Sequence, residues 1–292
     1  MPSSAPAVAT VTQNDAPKLA NGNEDTSIRP LCARLAARLN AFLAAEPESE
    51  MLRGVQEQTR TAPGVFTTAL EKYTAKQWKP EKLYNGYRTP LTRTLYRLEE
   101  ISISYNGGKD CLVLLILFLC ALATHPAPLP ARLQSVYIIS PHPFQEVDDF
   151  VDESEADYSL GLARYAMDMK AAFAKYLEDE PRVKAIFVGT RRTDPHGMLL
   201  THFDPTDQGW PAFMRVHPVI DWHYAEIWGF IRAMEVPYCQ LYDQGYTSLG
   251  GTTDTHPNPA LKADKGDGTK DDKFRPAYEL VEDKAERLGR EK

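Results

Sequence analysis

The stretch ISISYNGGKDCLVLLILFLCAL, residues 101–122, decides how this chain folds. Ile101 and Ile103 are apolar and β-branched, which is typical of a buried strand, and residues 111–122 form one unbroken apolar run. Between them lies the polar segment SYNGGKD, residues 104–110. A turn that places two glycines, a lysine and an aspartate between two buried elements is a candidate anion site, although tight structural turns also use glycine pairs.

Strand and helix patterns alternate on both sides of this turn. Strands are predicted at 99–104, 133–140, 158–164, 184–190 and 214–220, and helices at 110–124, 145–155, 167–180 and 222–235. This alternation predicts an α/β fold with a mostly parallel central sheet and helices on both faces. Ligands of such sheets bind beyond the carboxyl ends of the strands. We therefore expect the loops 104–110, 140–145 and 190–213 to face one crevice.

Four segments are predicted along the chain. Residues 1–27 are polar and form a disordered tail. Residues 28–97 form a helical N-terminal extension, with one amphipathic helix up to residue 45 and further helical pieces broken by Pro63, Pro80 and Pro90. Residues 98–250 form the α/β core, which contains the candidate anion site. Residues 251–292 combine a mobile linker up to residue 275 with a tail that carries arginines.

Charge and composition indicate which partners and which cellular location to expect. The 292-residue chain has a net charge of −7 and a pI of about 5.6, so no overall basic field predicts binding to nucleic acid or to a membrane surface. Its four cysteines form no CxxC pair, which predicts reduced thiols and an intracellular protein. Residues 1–27 lack an apolar signal core and contain no arginine, so we expect a cytoplasmic location.

The turn at 104–110 has the chemistry of a phosphate site. Glycines let the backbone approach a ligand closely, and the first N–H groups of the following helix attract anions. Lys109 adds a positive charge, and the carboxylate of Asp110 suits a helix start and can face a metal ion. The segment is neither a Walker A loop nor a GxGxxG fingerprint. Taken alone, it leaves a phosphate site and a structural turn equally open.

Three other segments contain side chains that are suited to binding phosphate, a divalent ion or a flat aromatic ligand. GTRRTDPHG, residues 189–197, offers arginines for phosphate and an aspartate for a hard divalent ion, or is a solvated surface turn. GWPAF, residues 209–213, offers aromatic rings for a flat conjugated ligand, or packs in the core. ERLGR, residues 286–290, places two arginines on one helix face, or is simply a charged terminus.

Five motifs in order resemble one known family. SYNGGKDCLVLL, GTRRTDPHG, WPAFMRVHPVIDWHYAEIWGFI, YTSLG and ERLGR are closely similar to those of the eukaryotic FAD synthase (FMN adenylyltransferase) family. This family lies in the phosphoadenylylsulfate-reductase-like branch of the adenine-nucleotide α-hydrolase folds. The resemblance runs from about residue 98 to the last residue. It implies transfer of AMP from ATP to FMN with Mg²⁺, giving FAD and pyrophosphate.

The resemblance also implies roles for residues of this chain. Catalytic roles fall on Asn106, Asp110, Asp194, Arg287 and Arg290. ATP and its phosphates would contact Ser104, Tyr105, Gly107, Gly108, Lys109, Ile139, Ser140, Gly189, Arg191 and Arg192. The flavin would contact Asp194, Trp210, Pro211 and Phe213. Mg²⁺ would be held by Asp194 and Asp110, and the two tail arginines would return over the site.

Three alternative functions fit the sequence less well. Sulfonucleotide reduction on the same fold needs a reactive cysteine near the C-terminus, whereas the last cysteine here is Cys239. RNA thiolation needs cysteine pairs and a basic surface. A non-catalytic nucleotide or flavin sensor would have no use for Asp110, Asp194 and the tail arginines together. The expected partners are therefore ATP and FMN, with client apoflavoproteins as further candidates.

Overall fold

A computed structural model describes residues 27–78, 93–126, 128–263 and 273–291. Its helices are α1 (Arg29–Ala44), α2 (Glu50–Thr74), α3 (Lys109–Leu122), α4 (Gln145–Asp157), α5 (Met169–Asp179) and α6 (Tyr224–Ala233). Its strands are β1 (Ala75–Trp78), β2 (Arg93–Tyr96), β3 (Ile101–Ser104), β4 (Leu133–Ile138), β5 (Leu160–Tyr165), β6 (Ala185–Phe187), β7 (Phe203–Pro205) and β8 (Met214–Val216). Short 3-10 turns complete the C-terminal part.

Six strands form the central sheet in the order β5-β4-β3-β6-β8-β7. All neighbours in it are parallel except β7 and β8, which pair antiparallel. The predicted mostly parallel α/β fold with N-terminal helices is thus confirmed. After β3 the chain adds β4 and β5 on one side and then β6 and β8 on the other. This reversal opens a crevice at the carboxyl ends of β3, β4 and β6.

Helix α3 lies at the centre of the core, because nearly every side chain of its apolar run is buried. Phe118 of α3, Phe66 of α2 and Phe187 of β6 meet in one aromatic cluster, with ring centroids 4.7–5.5 Å apart. Such ring pairs add about 1 kcal/mol each to the area they bury. The cluster therefore attaches α2 to both α3 and the sheet.

The extension differs from the predicted pattern in two ways. Pro63 does not break the chain into two helices, since it lies on the exposed side of the continuous 25-residue α2. Burial of the neighbouring face of α2, including Val55 and Phe66, outweighs the backbone hydrogen bond that proline removes. Residues 75–78 and 93–96 are paired strands rather than helical pieces. Pro80 and Pro90 lie outside the described residues.

The strands also differ at their ends. Residues 139–140 and 188–190, predicted as strand, leave the sheet and enter loops at the crevice, and the predicted strand residues 217–220 lie beyond the end of β8. Strand β7 was not predicted, because three residues inside a polar segment carry too little apolar pattern. The predicted disordered tail falls outside the described residues except for Ser27. Residues 264–272 of the predicted mobile linker also lie outside them, while its ends meet in a bridge between Lys262 and Phe274. Among the described helices, none has the length and hydropathy that a bilayer crossing requires.

Candidate active site

A cavity of about 580 Å³ opens beyond the carboxyl ends of β3, β4 and β6. The loop 104–110, the segment 138–141, the turn 188–194 and the C-terminal tail (residues 273–291) all contribute to its wall. The predicted site residues among its lining are Ser104, Asn106, Gly108, Lys109, Asp110, Ile139, Ser140, Gly189, Asp194 and Arg287. The fold therefore brings residues from four distant segments to one place.

The loop 104–110 is shaped by its own backbone. Gly107 has a φ of +72°, a conformation that favours glycine, and an added Cβ would lie 3.0 Å from Val151. The Oδ1 atom of Asn106 accepts the N–H of Gly108 at 3.1 Å and the thiol of Cys111 at 2.8 Å. Since these bonds occupy the amide oxygen of Asn106, its side-chain N–H groups remain as donors for a ligand. Tyr105 is fully buried and does not line the cavity.

Gly189 allows β6 to approach the first turn of α3. A Cβ at this position would lie 2.7 Å from the backbone nitrogen of Cys111, which is too close for any side chain. The glycine thus places the end of β6 directly against the helix start whose N–H groups attract anions. Gly189 lines the cavity as expected, and its close approach explains why a glycine stands there.

Two cations that were expected to bind phosphate belong instead to a buried charge cluster, defined as Lys109, Asp110, Arg191, Asp194 and Glu286. The Lys109 ammonium, with 2% of its side chain exposed, lies 2.5 Å from Glu286 and 3.1 Å from Asp110. The Arg191 guanidinium is wholly buried, lies 2.7 Å from Asp110 and also pairs with Glu286. Their positive charges are therefore largely compensated inside the protein.

Burial and pairing act on the ionisation of this cluster. Burial alone would lower the pKa of Lys109, but the carboxylates of Asp110 and Glu286 outweigh it and raise that pKa. Burial would raise the pKa of Asp110, but Lys109 and Arg191 reverse the effect and lower it. For Asp194 the balance differs: burial and then the charge of Asp110 raise its pKa, and Arg191 compensates only in part. Asp194 is therefore the carboxylate that gains most from an incoming cation.

Asp194 is presented to the cavity by a tight turn. Its Oδ2 atom accepts the N–H of Arg191 at 2.8 Å, and its carbonyl accepts the N–H of Gly197 at 2.9 Å. Arg191 and Arg192 themselves do not line the cavity. The guanidinium of Arg192 turns away and donates to Asp221 at 2.7 Å. In this structure the donors of Arg192 are engaged on the outer face of the turn, away from the cavity to which its predicted phosphate role would bring it.

Ile139 and Ser140, which were predicted to contact ATP, both line the cavity, and the backbone N–H of Ile139 is already hydrogen-bonded within the protein. The N–H of Ile139 donates to the carbonyl of Tyr165 at 2.9 Å. The Ser140 hydroxyl accepts the N–H of His142 at 3.3 Å. Nearby Met167, Met169 and Phe173 add an apolar wall that the sequence did not reveal. This end of the cavity suits a flat apolar ring with polar edges.

The predicted flavin residues Trp210, Pro211 and Phe213 do not line this cavity. Phe213 is buried one layer behind it, where its ring packs 5.1 Å from the ring of the lining residue Phe173. Trp210 is 38% exposed on the surface. The aromatic side chain of Phe213 therefore supports the cavity wall rather than forming it.

Of the two predicted tail arginines, the structure brings one to the cavity. Arg287 lines it, whereas Arg290 does not. The guanidinium of Arg290 donates to Asp254 at 3.0 Å, and its backbone pairs with Thr255. Arg290 therefore fastens the tail to residues 254–255, and Arg287 is the arginine that faces the ligand space.

Several lining residues were not found from the sequence. These are Ile138, Pro141, Met167, Asp168, Met169, Phe173, Val188, Thr190, Tyr242, Ser248, Leu249 and Glu286, besides Cys111, which was treated as a core thiol. Tyr242, whose hydroxyl accepts the N–H of Lys109 at 2.9 Å, sits in a segment without any motif. Glu286 begins the ERLGR motif, in which only the two arginines were assigned a role from the sequence.

Known proteins are similar to this chain in sequence. A profile of the phosphoadenosine phosphosulfate reductase domain matches residues 100–179 and 163–257. A probable FAD synthase of Schizosaccharomyces pombe is 44% identical over 199 residues, which are 67% of this chain and 73% of the relative. The flavin adenine dinucleotide synthase of Saccharomyces cerevisiae is 32% identical over 246 residues, covering 77% of this chain and 74% of the relative.

Solved structures agree with these relatives. The FMN adenylyltransferase of Candida glabrata, in complex with FMN and the ATP analogue AMPCPP, superposes with a TM-score of 0.75 at 29% identity and covers 90% of this chain and 100% of that chain. The same enzyme in complex with FAD and inorganic pyrophosphate gives a TM-score of 0.76, also at 29% identity, with 90% and 99% coverage.

Proposed function

This chain belongs to the FAD synthase family, and from that premise we propose that it transfers the adenylyl group of ATP to the phosphate of FMN, giving FAD and pyrophosphate. The chain is accordingly a nucleotidyltransferase. The observation that carries the assignment is the convergence of the loop 104–110, Asp194 and Arg287 on one cavity at the carboxyl ends of the strands.

The chain positions ATP mainly with its backbone. Because Lys109 and Arg191 are compensated by Asp110 and Glu286, their side chains offer little net charge to phosphate. The N–H groups of the first turn of α3 after Lys109, whose own N–H binds Tyr242, and the side-chain amide of Asn106 hold the phosphates instead. Arg287 supplies positive charge from the tail. The adenine ring lies against the apolar wall near Ile139.

The reaction needs alignment more than proton transfer. A phosphate monoester oxygen of FMN is already largely ionised at neutral pH, since its second pKa is about 6. This oxygen forms a bond to the α-phosphorus of ATP while the bond from that phosphorus to the bridging oxygen breaks, and pyrophosphate leaves with the electron pair. No general base is required. The chain contributes orientation and charge stabilisation at the α-phosphoryl group.

The acidic residues at the cavity fit a Mg²⁺ ion that arrives with ATP. Mg²⁺ usually keeps several waters and binds one or two carboxylates together with substrate phosphates. Asp194 supplies such a carboxylate, and Asp110, which is ion-paired with Lys109 and Arg191, is the second. The ion would neutralise phosphate charge.

A reductase activity on the same fold is disfavoured by the last cysteine of the chain. Cys239 is fully buried, and its thiol contacts the carbonyl of Glu146. Burial raises the pKa of this thiol to about 11, whereas a reactive cysteine needs an accessible thiolate. All four cysteines are free and buried, which suits a reducing compartment, and we place the activity in the cytoplasm.

The test is formation of FAD from defined substrates. The purified chain is incubated with ATP, Mg²⁺ and FMN, and the flavins are separated by chromatography. We expect FAD and pyrophosphate in equal amounts, and none when ATP or Mg²⁺ is omitted. Riboflavin in place of FMN is the matched control, since it lacks the attacking phosphate. Turnover of ATP without FAD would refute the assignment.

A further inference from the structure

Glu286 is a buried carboxylate in the tail that four other segments hold in place. One carboxylate oxygen binds the Lys109 ammonium at 2.5 Å, and the other binds the Arg191 guanidinium. The backbone carbonyl of Glu286 accepts the hydroxyl of Thr247 at 2.6 Å and the side-chain amide of Asn258 at 3.4 Å. Only 6% of the side chain is exposed. Few residues of a short C-terminal segment are fixed so completely.

The next residue along the chain is the one that faces the ligand space. Arg287 is exposed and lines the cavity, while Glu286 before it points into the charge cluster. A long flexible arginine is useful in catalysis only if its backbone is fixed, because orientation of a charged group is a large part of its effect. Within the tail, the anchors of Glu286 lie closest in sequence to Arg287.

We propose that Glu286 is a positioning residue that holds Arg287 at the α-phosphoryl end of the cavity through its ion pairs with Lys109 and Arg191. The inference rests on the proposed adenylyl transfer. It also gives Lys109 and Arg191 a role other than the predicted contact with phosphate: both side chains bind the tail through Glu286. Because Lys109 begins α3 and Arg191 follows β6, the carboxylate ties the tail to both edges of the phosphate site.

A purely compensating carboxylate would behave differently from a positioning one. If Glu286 only neutralised Lys109, its replacement by glutamine would free that ammonium for phosphate and tighten binding of ATP. If Glu286 positions Arg287, the same replacement leaves a neutral amide that cannot accept from both cations, so the tail loosens and turnover falls. The two roles therefore predict opposite changes.

The experiment is a double-mutant cycle on the full chain. The variants Glu286→Gln, Arg287→Ala and the double variant are compared with wild type for kcat, for KM of ATP and FMN, and for the dissociation constant of MgATP by titration calorimetry. We expect Glu286→Gln to lower kcat/KM by roughly 10- to 100-fold, the loss typical of a misplaced group. When Arg287 is already absent, we expect the same change to cost less than about twofold, because non-additivity marks coupled residues.

Two further variants control the result. Glu282→Gln removes an exposed carboxylate from the same tail and is expected to leave the kinetics unchanged. Thr247→Val loosens the Glu286 carbonyl without touching the charge cluster, and it is expected to show the same dependence on Arg287. If the Glu286→Gln protein does not fold, the Thr247→Val variant still tests the proposal.

The outcomes separate the inference from the function on which it rests. Equal losses with and without Arg287, wild-type kinetics, or tighter MgATP binding in Glu286→Gln would each overturn the positioning role. If wild type forms no FAD, the proposed function fails by itself. The calorimetric measurement still decides the inference. If Glu286→Gln weakens MgATP binding only when Arg287 is present, the positioning role is supported, and any other pattern contradicts it.

Discussion

The negative charge of Asp194 is costly where it lies, but the carboxylate lines the cavity, where a bound cation can use it. It is a half-buried carboxylate near a second carboxylate, and both burial and that neighbour raise its pKa. A folded chain tolerates such a charge where a ligand uses it. In the proposed reaction the carboxylate meets the Mg²⁺ that accompanies ATP.

Asp194→Asn therefore tests the reacting centre directly. The amide keeps an acceptor for the N–H of Arg191 but loses the negative charge. We expect FAD formation to fall by roughly 10² to 10³, the usual cost of removing one preorganised electrostatic contact, while the thermal midpoint stays within a few degrees. Asp221→Asn, on the outer face beside Arg192, is the matched control and should remain active. Full activity of the Asp194 variant would refute its assignment.

His217 makes stability depend on pH away from the cavity. Its ring is 1% exposed, and within the described residues neither ring nitrogen has a hydrogen-bond partner. Burial lowers its pKa from 6.5 to about 4; the charge of Asp204, 3.8 Å away, opposes this, whereas Arg215 and His202 add to it.

Acid should therefore destabilise the protein through His217. Between pH 6.5 and 4 the unfolded chain binds a proton that the folded chain does not, so the free energy of unfolding falls as pH is lowered through this window. The loss is on the order of 3 kcal/mol. Urea unfolding at several pH values should show a shallower decline for His217→Leu than for wild type, and an unchanged one for the same substitution at the exposed His142. Equal declines in all three proteins would contradict this.

At the residue scale, the sequence identified the site better than the roles within it. Asn106, Asp110, Asp194 and Arg287 all reach the cavity. The pattern could not distinguish a phosphate-binding arginine from a structural one. Arg191 pairs with Glu286, 95 positions further along, and a contact of that range leaves no local signal.

At the scale of elements, α2 shows how packing overrides a local signal. Proline disfavours a helix interior by about 3 kcal/mol, and the sequence accordingly predicted a break at Pro63. The face of α2 next to Pro63 buries Phe66 in the aromatic cluster with α3 and β6, which keeps the helix continuous.

Pro63→Ala should therefore stabilise the protein. Pro63 is exposed, so alanine disturbs no core contact, and it restores the backbone donor that proline lacks. After allowance for the more flexible unfolded chain, we expect a gain of about 1–2 kcal/mol in the free energy of unfolding. Denaturant titration measures it, and Thr67→Ala, exposed on the same helix, should change stability by less than about 0.5 kcal/mol. A less stable Pro63 variant would show that the helix depends on its proline.

Element order was predictable where apolar patterns were long. The run of α3 and the strands beside it are hydrophobic enough to be found without a structure. The ends of the elements were not predictable from the sequence. Residues 139–140 and 188–190 are as apolar or small as strand residues, yet they leave the sheet and line the cavity. At these positions the ligand site, rather than strand propensity, decides the backbone path.

At the scale of the whole molecule, the sheet and the tail have complementary tasks. The strand reversal at β3 and β6 opens the crevice, as the alternation of elements predicted. The tail closes it by two attachments, Arg290 to Asp254 and Glu286 to the charge cluster. Neither attachment follows from periodicity, since short 3-10 turns carry no repeat of their own.

The most direct test of the central claim follows the α-phosphate of ATP. The protein is supplied with Mg²⁺, FMN and ATP that carries a radiolabel on either the α- or the γ-phosphate, and the products are separated. Adenylyl transfer at this cavity predicts that the α-label appears in FAD and the γ-label in pyrophosphate. Recovery of the α-label in AMP or ADP, with FMN unchanged, would contradict it.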